Sequence, residues 1–455
     1  MMNKLYKFSA FAALLAGFAL SSCNNEEADI FDQSAAHRTE EAKQMYKDIL
    51  VDQGGKWQME YFTTEEEHGY VYLFTFKEDG SVKISGHNEY ITKITNIDAN
   101  YSSFGSEESL WDVISDNGPV LTFNSYNKYF HLFADPEDVP DTEPDEQGYG
   151  HSGDYEFDLM KFSNDTLYLE GKKHGASIIM TRIPSTTDDE TYLNEVVALA
   201  DSFFNAKIPA VYVNLPGGYR HVVLDGATQL PKFYPETGDY ITEWVGRNAI
   251  ITHDGFTLGS PLTLRDSIDG KDYTIQHFIR QADGSLLCTD DGKTTITADA
   301  LSKVVTNQAL VWQIDATQST GELGEAFNAI NTGTKAFNGS SITYIKFGAV
   351  TESGKKYPNA VFIRLMRTSE GKTLNINIYQ EMQTEVISDD EFRFVLGDME
   401  KNMATYVTKV PELQAFLEML GNTTFKCSSS SLLAPVNIRI SDVNNPSSSL
   451  MLNLQ

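Results

Sequence analysis

Cysteine is nearly absent: the chain has three in 455 residues, with no Cys-x-x-Cys pair and no cysteine–histidine spacing of zinc type. That scarcity excludes a disulfide scaffold and a zinc module. Positive charge is scarce as well, with 35 lysines and arginines against 64 aspartates and glutamates and a formal charge of −29. Nucleic acid is thereby excluded as a partner, and so is a membrane surface gripped by a basic patch. Catalytic signatures are wanting too. His-Glu-x-x-His does not occur, and Gly150-His151-Ser152-Gly153 has Asp154 where a serine elbow needs its second glycine. Gly-Lys-Thr at 292–294 and at 371–373 carries Leu287 and Met366 where a phosphate loop has its first glycine. Nothing among the carboxylates selects a glycosidase pair. The expectation is no catalytic residue, no metal and no cofactor, with a surface hydrolase as the least favoured alternative.

The first residues are the informative ones. Lys4 and Lys7 precede an apolar run, Phe8 to Leu20, and Leu20-Ser21-Ser22-Cys23 follows. This is the pattern of a bacterial lipoprotein signal over 1–22, with Cys23 as the lipidated residue. The run is too short for a lasting membrane span, so acyl chains are the expected membrane anchor. Residues 23–35 read as a lipidated tether, and Glu26, Glu27 and Asp29 within it are acidic. They resemble the export signal that sends lipoproteins to the outer face of the outer membrane in Bacteroidete-type bacteria. Without the leader the formal charge is −31, because Lys4 and Lys7 are its only charged residues.

After the tether, Ala42, Met45, Tyr46, Ile49 and Leu50 recur at helical spacing, and Gly54-Gly55 ends the helix. From Lys56 the period becomes two. Tyr70 to Phe76 is aromatic or branched on both faces, and strands are predicted at 56–61, 70–76, 82–84, 90–97, 109–114, 120–123, 129–133, 155–162, 166–170 and 177–183. So many short strands at hairpin spacing predict a closed antiparallel barrel or sandwich. An amphipathic helix over about 189–205 separates this region, 36–187, from a second β domain at 188–311. Residues 312–455 mix helices and strands and are expected to be α+β, with a capping box at Ser388 to Glu391 and a helix between Pro411 and Gly421. The fold class is therefore mainly β with α+β. Asp135 to Glu146 holds seven carboxylates and three prolines and reads as a solvated loop, with calcium as the alternative. Glu67-His68 reads as a charged turn with an exposed histidine, and Trp244 and Trp312 as core. Pairing of Cys288 with Cys427 stays open.

Two segments carry a resemblance. Gly55-Lys56-Trp57, followed by Phe74-Thr75-Phe76-Lys77-Glu78-Asp79-Gly80-Ser81-Val82, resembles the start of the lipocalin-like domains of Bacteroidete surface lipoproteins. With the signal, the length and the turn Gly171-Lys172-Lys173-His174-Gly175, the whole chain resembles an uncharacterised family of such lipoproteins encoded beside SusC/SusD-type outer-membrane import systems. The resemblance implies a surface-exposed accessory that binds oligopeptide or glycan cargo in partnership with the transporter. A structural or adhesive lipoprotein without cargo is the alternative. Sugar sites need aromatic surface with polar rims, peptide sites an open strand edge or a donor-rich cleft, and a structural role one large apolar patch.

Overall fold

The computed structural model describes residues 34–63, 67–92, 102–134, 153–203, 207–208, 210–224, 230–236, 245–369 and 371–455. It opens with helix α1 (Ala35–Val51), whose first turn is capped by the Ser34 hydroxyl accepting from the His37 amide. Eight strands then close on themselves in sequence order: β1 (Lys56–Tyr61), β2 (Tyr70–Phe76), β3 (Ser81–His87), β4 (Phe104–Ser115), β5 (Pro119–Phe123), β6 (Glu156–Ser163), β7 (Thr166–Gly171) and β8 (Ser177–Arg182). Closure is made by β1 pairing with β8, with Met59 opposite Met180.

The Gly-x-Trp motif is explained by this closure. Gly55 sits at φ 63°, and a Cβ there would lie 2.2 Å from the Phe76 carbonyl oxygen, so only glycine fits. Trp57 is fully buried, donates from its indole to the Leu50 carbonyl at 2.9 Å, and is covered by the Arg182 guanidinium at 4.2 Å. The motif fastens α1 to the barrel.

Rings fill the barrel interior. Residues 129–133, expected as a strand, are all buried, and His131–Phe133 forms a 3-10 turn. The Asn127 carboxamide accepts from the Tyr129 and Phe130 amides, which starts the turn instead of a ladder. Phe130 then inserts among Tyr61, Tyr72, Phe74, Phe123 and Phe157 at 5.0–6.2 Å between ring centroids. The strand expected at 90–97 also fails, because Asn88 accepts from the Ile91 amide and residues 89–92 turn helically. Residues 93–97 of that expectation lie outside the described residues.

Helix α2 (Asp189–Phe203) crosses the outside of this barrel. Phe62, Val71 and Leu73, which point outward, share one core with Leu193, Val196 and Leu199 of the helix, and the strand interior takes Tyr70, Tyr72, Phe74 and Phe76. The two-faced apolar run of β2 is thus a strand buried on both sides.

That shared core belongs to a nine-stranded antiparallel sheet in the order β12 (Val245–Gly246), β11 (Lys232–Pro235), β10 (Arg220–Leu224), β9 (Val211–Asn214), β17 (Thr295–Ala298), β16 (Leu286–Cys288), β15 (Asp272–Arg280), β14 (Gly255–Arg265), β13 (Ala249–Ile251). Its β13 edge meets the first barrel, where the Gly69 amide donates to the Ala249 carbonyl at 2.8 Å.

Helix α3 (Leu301–Thr306) leads to a second closed barrel: β18 (Trp312–Thr320), β19 (Ser341–Glu352), β20 (Lys355–Ser369), β21 (Lys372–Val386), β22 (Glu391–Met399), β23 (Thr424–Ser428), β24 (Asn437–Asp442) and β25 (Ser449–Leu454). Its core is shared with helices α4 (Gly321–Asn338), α5 (Lys401–Lys409) and α6 (Pro411–Asn422), through Leu323, Phe327, Met403, Phe416 and Leu420. The helices and strands expected for this region are both present, and the strands close at Trp312, which faces Phe347 on one side and Leu454 on the other. The capping box at Ser388 is a correction: Ser388 bonds Asp390 within the β21–β22 turn, and Phe392 and Phe394 alternate into the core as a strand. The molecule is mainly β, with two closed barrels flanking an open sheet.

Candidate functional site

Two rows of side chains on the first barrel face α2. Because successive residues of a strand alternate faces, β1 presents Lys56, Gln58 and Glu60 outward, and β3 presents Lys83, Ser85 and His87. At the start of α2 both rows are satisfied. Asp189, itself buried, pairs with Lys56 at 2.5 Å and Lys83 at 2.9 Å and accepts from the Ser85 hydroxyl at 2.7 Å. Burial would raise the Asp189 carboxyl, and the bonds from Lys56, Ser85 and Lys83 outweigh it, so its pKa is lowered. One step along, the Tyr192 hydroxyl donates to Gln58 at 2.8 Å, and its ring stacks on His253 at 4.2 Å. His253 in turn bridges Glu195 at 2.6 Å and Asp254 at 2.8 Å.

Further along the helix the rows run out of partners. Glu60 faces the Asp254 carboxylate, and burial first, then that like charge, lifts its pKa to about 7. His87 bonds Asn194 of α2, while its Nδ1 is buried without a partner. Burial lowers the His87 pKa against Asn194 and Glu190, which favours the neutral ring.

Beside His87 the helix and the barrel part to leave a cleft of about 210 Å³. One wall is apolar, made by Leu193, Val196, Val197 and Ala200 of α2, and the other is polar and aromatic, made by His68, Tyr70, His87, Asn88 and Glu89. His68 differs from its expected exposed state: its ring lies 4.5 Å from Tyr70, with Nδ1 3.0 Å from the Gly69 carbonyl and Nε2 3.2 Å from Glu89. Burial opposes its charge, yet Glu89 and that carbonyl raise its pKa. The cleft therefore sets His68, held by Glu89 and the Gly69 carbonyl, near His87, whose Nδ1 is buried without a partner. It can hold a small amphipathic ligand at the meeting of two bodies, where such sites are common.

The residues singled out from sequence distribute otherwise. Cys23, Trp244, residues 135–146 and Gly150 to Ser152 lie outside the described residues, so calcium in the acidic loop and the serine elbow receive no structural account. Trp312 is core. Cys288 and Cys427 are buried free thiols, pushed up by burial to about 11 and about 12. The first Gly-Lys-Thr stretch lies in a loop held by Asp291 accepting from the Lys293 and Thr294 amides, and in the second Gly371 ends the β20–β21 turn while Lys372 and Thr373 begin β21. The 171–175 turn is structural: the buried Asp154 carboxylate accepts from the Lys173 and His174 amides, and Tyr61 bridges the Asp154 backbone. Among the described residues, no group of three or more His, Cys, Asp or Glu is placed to hold a metal ion, and no helix is long and apolar enough to cross a membrane. His87, Asn88 and Glu89 were not anticipated; the period-two polar row Lys83, Ser85, His87 was the available signal.

These features define a β-rich protein whose first barrel and central sheet are joined across a clefted seam. Residues 27–280, more than half of the chain and including that seam, match the model of DUF4302, a domain of unknown function, and the chain belongs to that family. No curated protein matches it. An uncharacterized protein from Bacteroides eggerthii aligns with 29% of this chain and all of its own at 15% identity, with a TM-score of 0.18. The beta subunit from DNA polymerase of Streptococcus pyogenes aligns with 90% of this chain and 97% of its own at 10% identity, with a TM-score of 0.12. At those TM-scores neither likeness bears on function.

Proposed function

We propose that the protein is an outer-membrane surface lipoprotein, tethered through Cys23, that serves a SusC/SusD-type importer as a non-catalytic accessory and takes glycan cargo. The observation that carries the glycan reading is the cleft between α2 and the first barrel, where an apolar wall faces hydrogen-bonding and aromatic groups. A sugar ring has the same two-sided character. The rings that fill the first barrel leave the seam as the better place for a ligand. Peptide capture by strand addition is less well supported, because the β13 edge already receives the Gly69 amide. A groove between β22 and α6, with Val395, Leu396, Met399 and Leu417 in its walls, supports packing against a protein partner.

Tagged protein purified from outer membranes in mild detergent tests this reading. Recovery of the transporter and its lid lipoprotein, with saccharide bound, is the expected outcome. Loss of membrane retention in Cys23→Ala is expected alongside. Reproducible absence of the transporter, or turnover of polysaccharide by stringently purified protein, would overturn the accessory reading.

A further inference from the structure

We propose that Tyr126 and Tyr155 form a two-ring platform that receives successive pyranose units of a glycan, the C–H face of each sugar lying on one tyrosine ring. The inference rests on the glycan reading above and adds a second contact for that cargo, outside the cleft, at the end of the first barrel where β5 stops and β6 begins.

Exposure supplies the first argument. Among the described residues three tyrosines are exposed, Tyr126 at 59%, Tyr155 at 44% and Tyr168 at 41%. Two of these three lean on one side chain. The His131 ring lies 5.4 Å from Tyr126 and 5.3 Å from Tyr155 between centroids, tilted by 35° and 34°. His131 is itself buried and stands edge-on to Phe130 of the barrel core at 6.0 Å, so the aromatic packing of the interior continues out to the surface at this point.

Rigidity supplies the second argument. The Asn127 amide donates to His131 Nδ1 at 3.0 Å, and the ring also bonds the Phe123 backbone, so the supporting ring is fixed. On one side of Tyr126 the Ser125 hydroxyl accepts from the Leu110 amide at 2.8 Å, and on the other the Lys128 amide donates to Glu107 at 2.8 Å. Tyr155 follows Asp154, whose backbone is bridged by the buried Tyr61 hydroxyl. Rings that are held in place while open to water lose little conformational freedom when a ligand arrives, and tyrosine has few rotatable bonds to freeze.

The rim supplies the ligand class. Exposed Asn124 and half-exposed Glu156 stand two residues from Tyr126 and one from Tyr155, and the Thr122 hydroxyl lies 3.3 Å from Asn124 Oδ1 and 3.3 Å from Glu156 Oε1. One hydroxyl proton serves one acceptor at a time, so the pair offers acceptor capacity to donors from outside. A sugar carries hydroxyl donors around an apolar ring face, which matches acceptors beside aromatic rings. A proline-rich segment, the other ligand that stacks on exposed aromatics, has no N–H on its prolines and is poor in donors.

The test is calorimetry and saturation-transfer NMR on the mature chain with hexasaccharides of glucose, mannose and xylose, the matching methyl glycosides, and decaproline. At least one hexasaccharide should bind, and at least tenfold tighter than its methyl glycoside, because two rings are engaged at once. Tyr126→Ser and Tyr155→Ser should each weaken it at least tenfold, whereas Tyr126→Phe and Tyr155→Phe, which keep the ring, should stay within threefold. In the unmutated chain carrying ring-labelled tyrosine, the hexasaccharide should shift the resonances of Tyr126 and Tyr155, a readout that stands even where a serine variant fails to fold. Unchanged binding by both serine variants, or unshifted resonances, would overturn the inference while leaving the cleft as the glycan site. Decaproline bound through the same rings, with no hexasaccharide bound, would overturn both the inference and the glycan reading. Failure of every saccharide would do the same, and the accessory role would then stand or fall on recovery of the transporter.

Discussion

The two ends of α2 meet the first barrel in opposite ways. At the N-terminal end, Asp189 is surrounded by Lys56, Lys83 and Ser85, a buried charge with three partners. Toward the middle of the helix, the same two strands offer Glu60 and His87, and neither is matched in that way. One end is built for attachment and the other holds unsatisfied chemistry. Of the two, His87 lines the cleft and has a buried nitrogen without a partner, while Glu60 lies outside the cleft and is burdened by burial and by the Asp254 charge.

The largest effect expected from breaking the satisfied end is that of Asp189→Asn. It leaves Lys56 buried without its counter-charge, and urea unfolding should show a loss of about 3–5 kcal/mol. Because the Asp189 pKa is lowered in the folded state, this stabilisation is present above its ordinary 3.8 and disappears as pH falls through the folded value. Glu60→Gln acts at the other end and in the opposite direction. The folded pKa of about 7 lies above the ordinary 4.5, so folding favours the protonated carboxyl. The cost of its charge is absent below pH 4.5 and complete above pH 7. A shift of that size corresponds to about 3 kcal/mol, and Glu60 keeps some contact with water, so the variant should gain about 2 kcal/mol at pH 8 and almost nothing at pH 4.5. A gain that does not depend on pH would break the contrast between the two ends. Lys83→Met should matter least. Its side chain is 41% exposed, and a screened pair of this kind contributes about 0.5 kcal/mol, weakening with salt.

Much of the fold could be read from the chain, and the site could not. The aromatic alternation of β1 and β2, the turns at Asp79-Gly80 and Asp283-Gly284, and the stripe on α2 follow from period and turn chemistry, and the structure contains all of them. The misses have local causes. Tyr129 to Phe133 has strand composition, but every residue is buried, and Asn127 captures the amides a ladder would have used. The cleft was out of reach for a different reason. His68 and His87 lie 19 positions apart on one strand hairpin, and the helix that faces them begins about a hundred residues later, so only the tertiary fold brings them together.

The connection between β23 and β24 has a consequence for timing. Leu433 is part of the central-sheet core, although it belongs to the chain of the second barrel, and Leu432 bonds both Asp283 and Ala298 across that junction. A chain that emerges N-terminus first therefore presents every strand of the central sheet well before the residue that completes its core. The first barrel can close early, once β8 has reached β1, while the middle of the molecule waits for residues near the very end. A truncation before residue 432 would remove one side chain from the core of the middle sheet and both Leu432 backbone bonds to it, however many of the sheet's own strands are present.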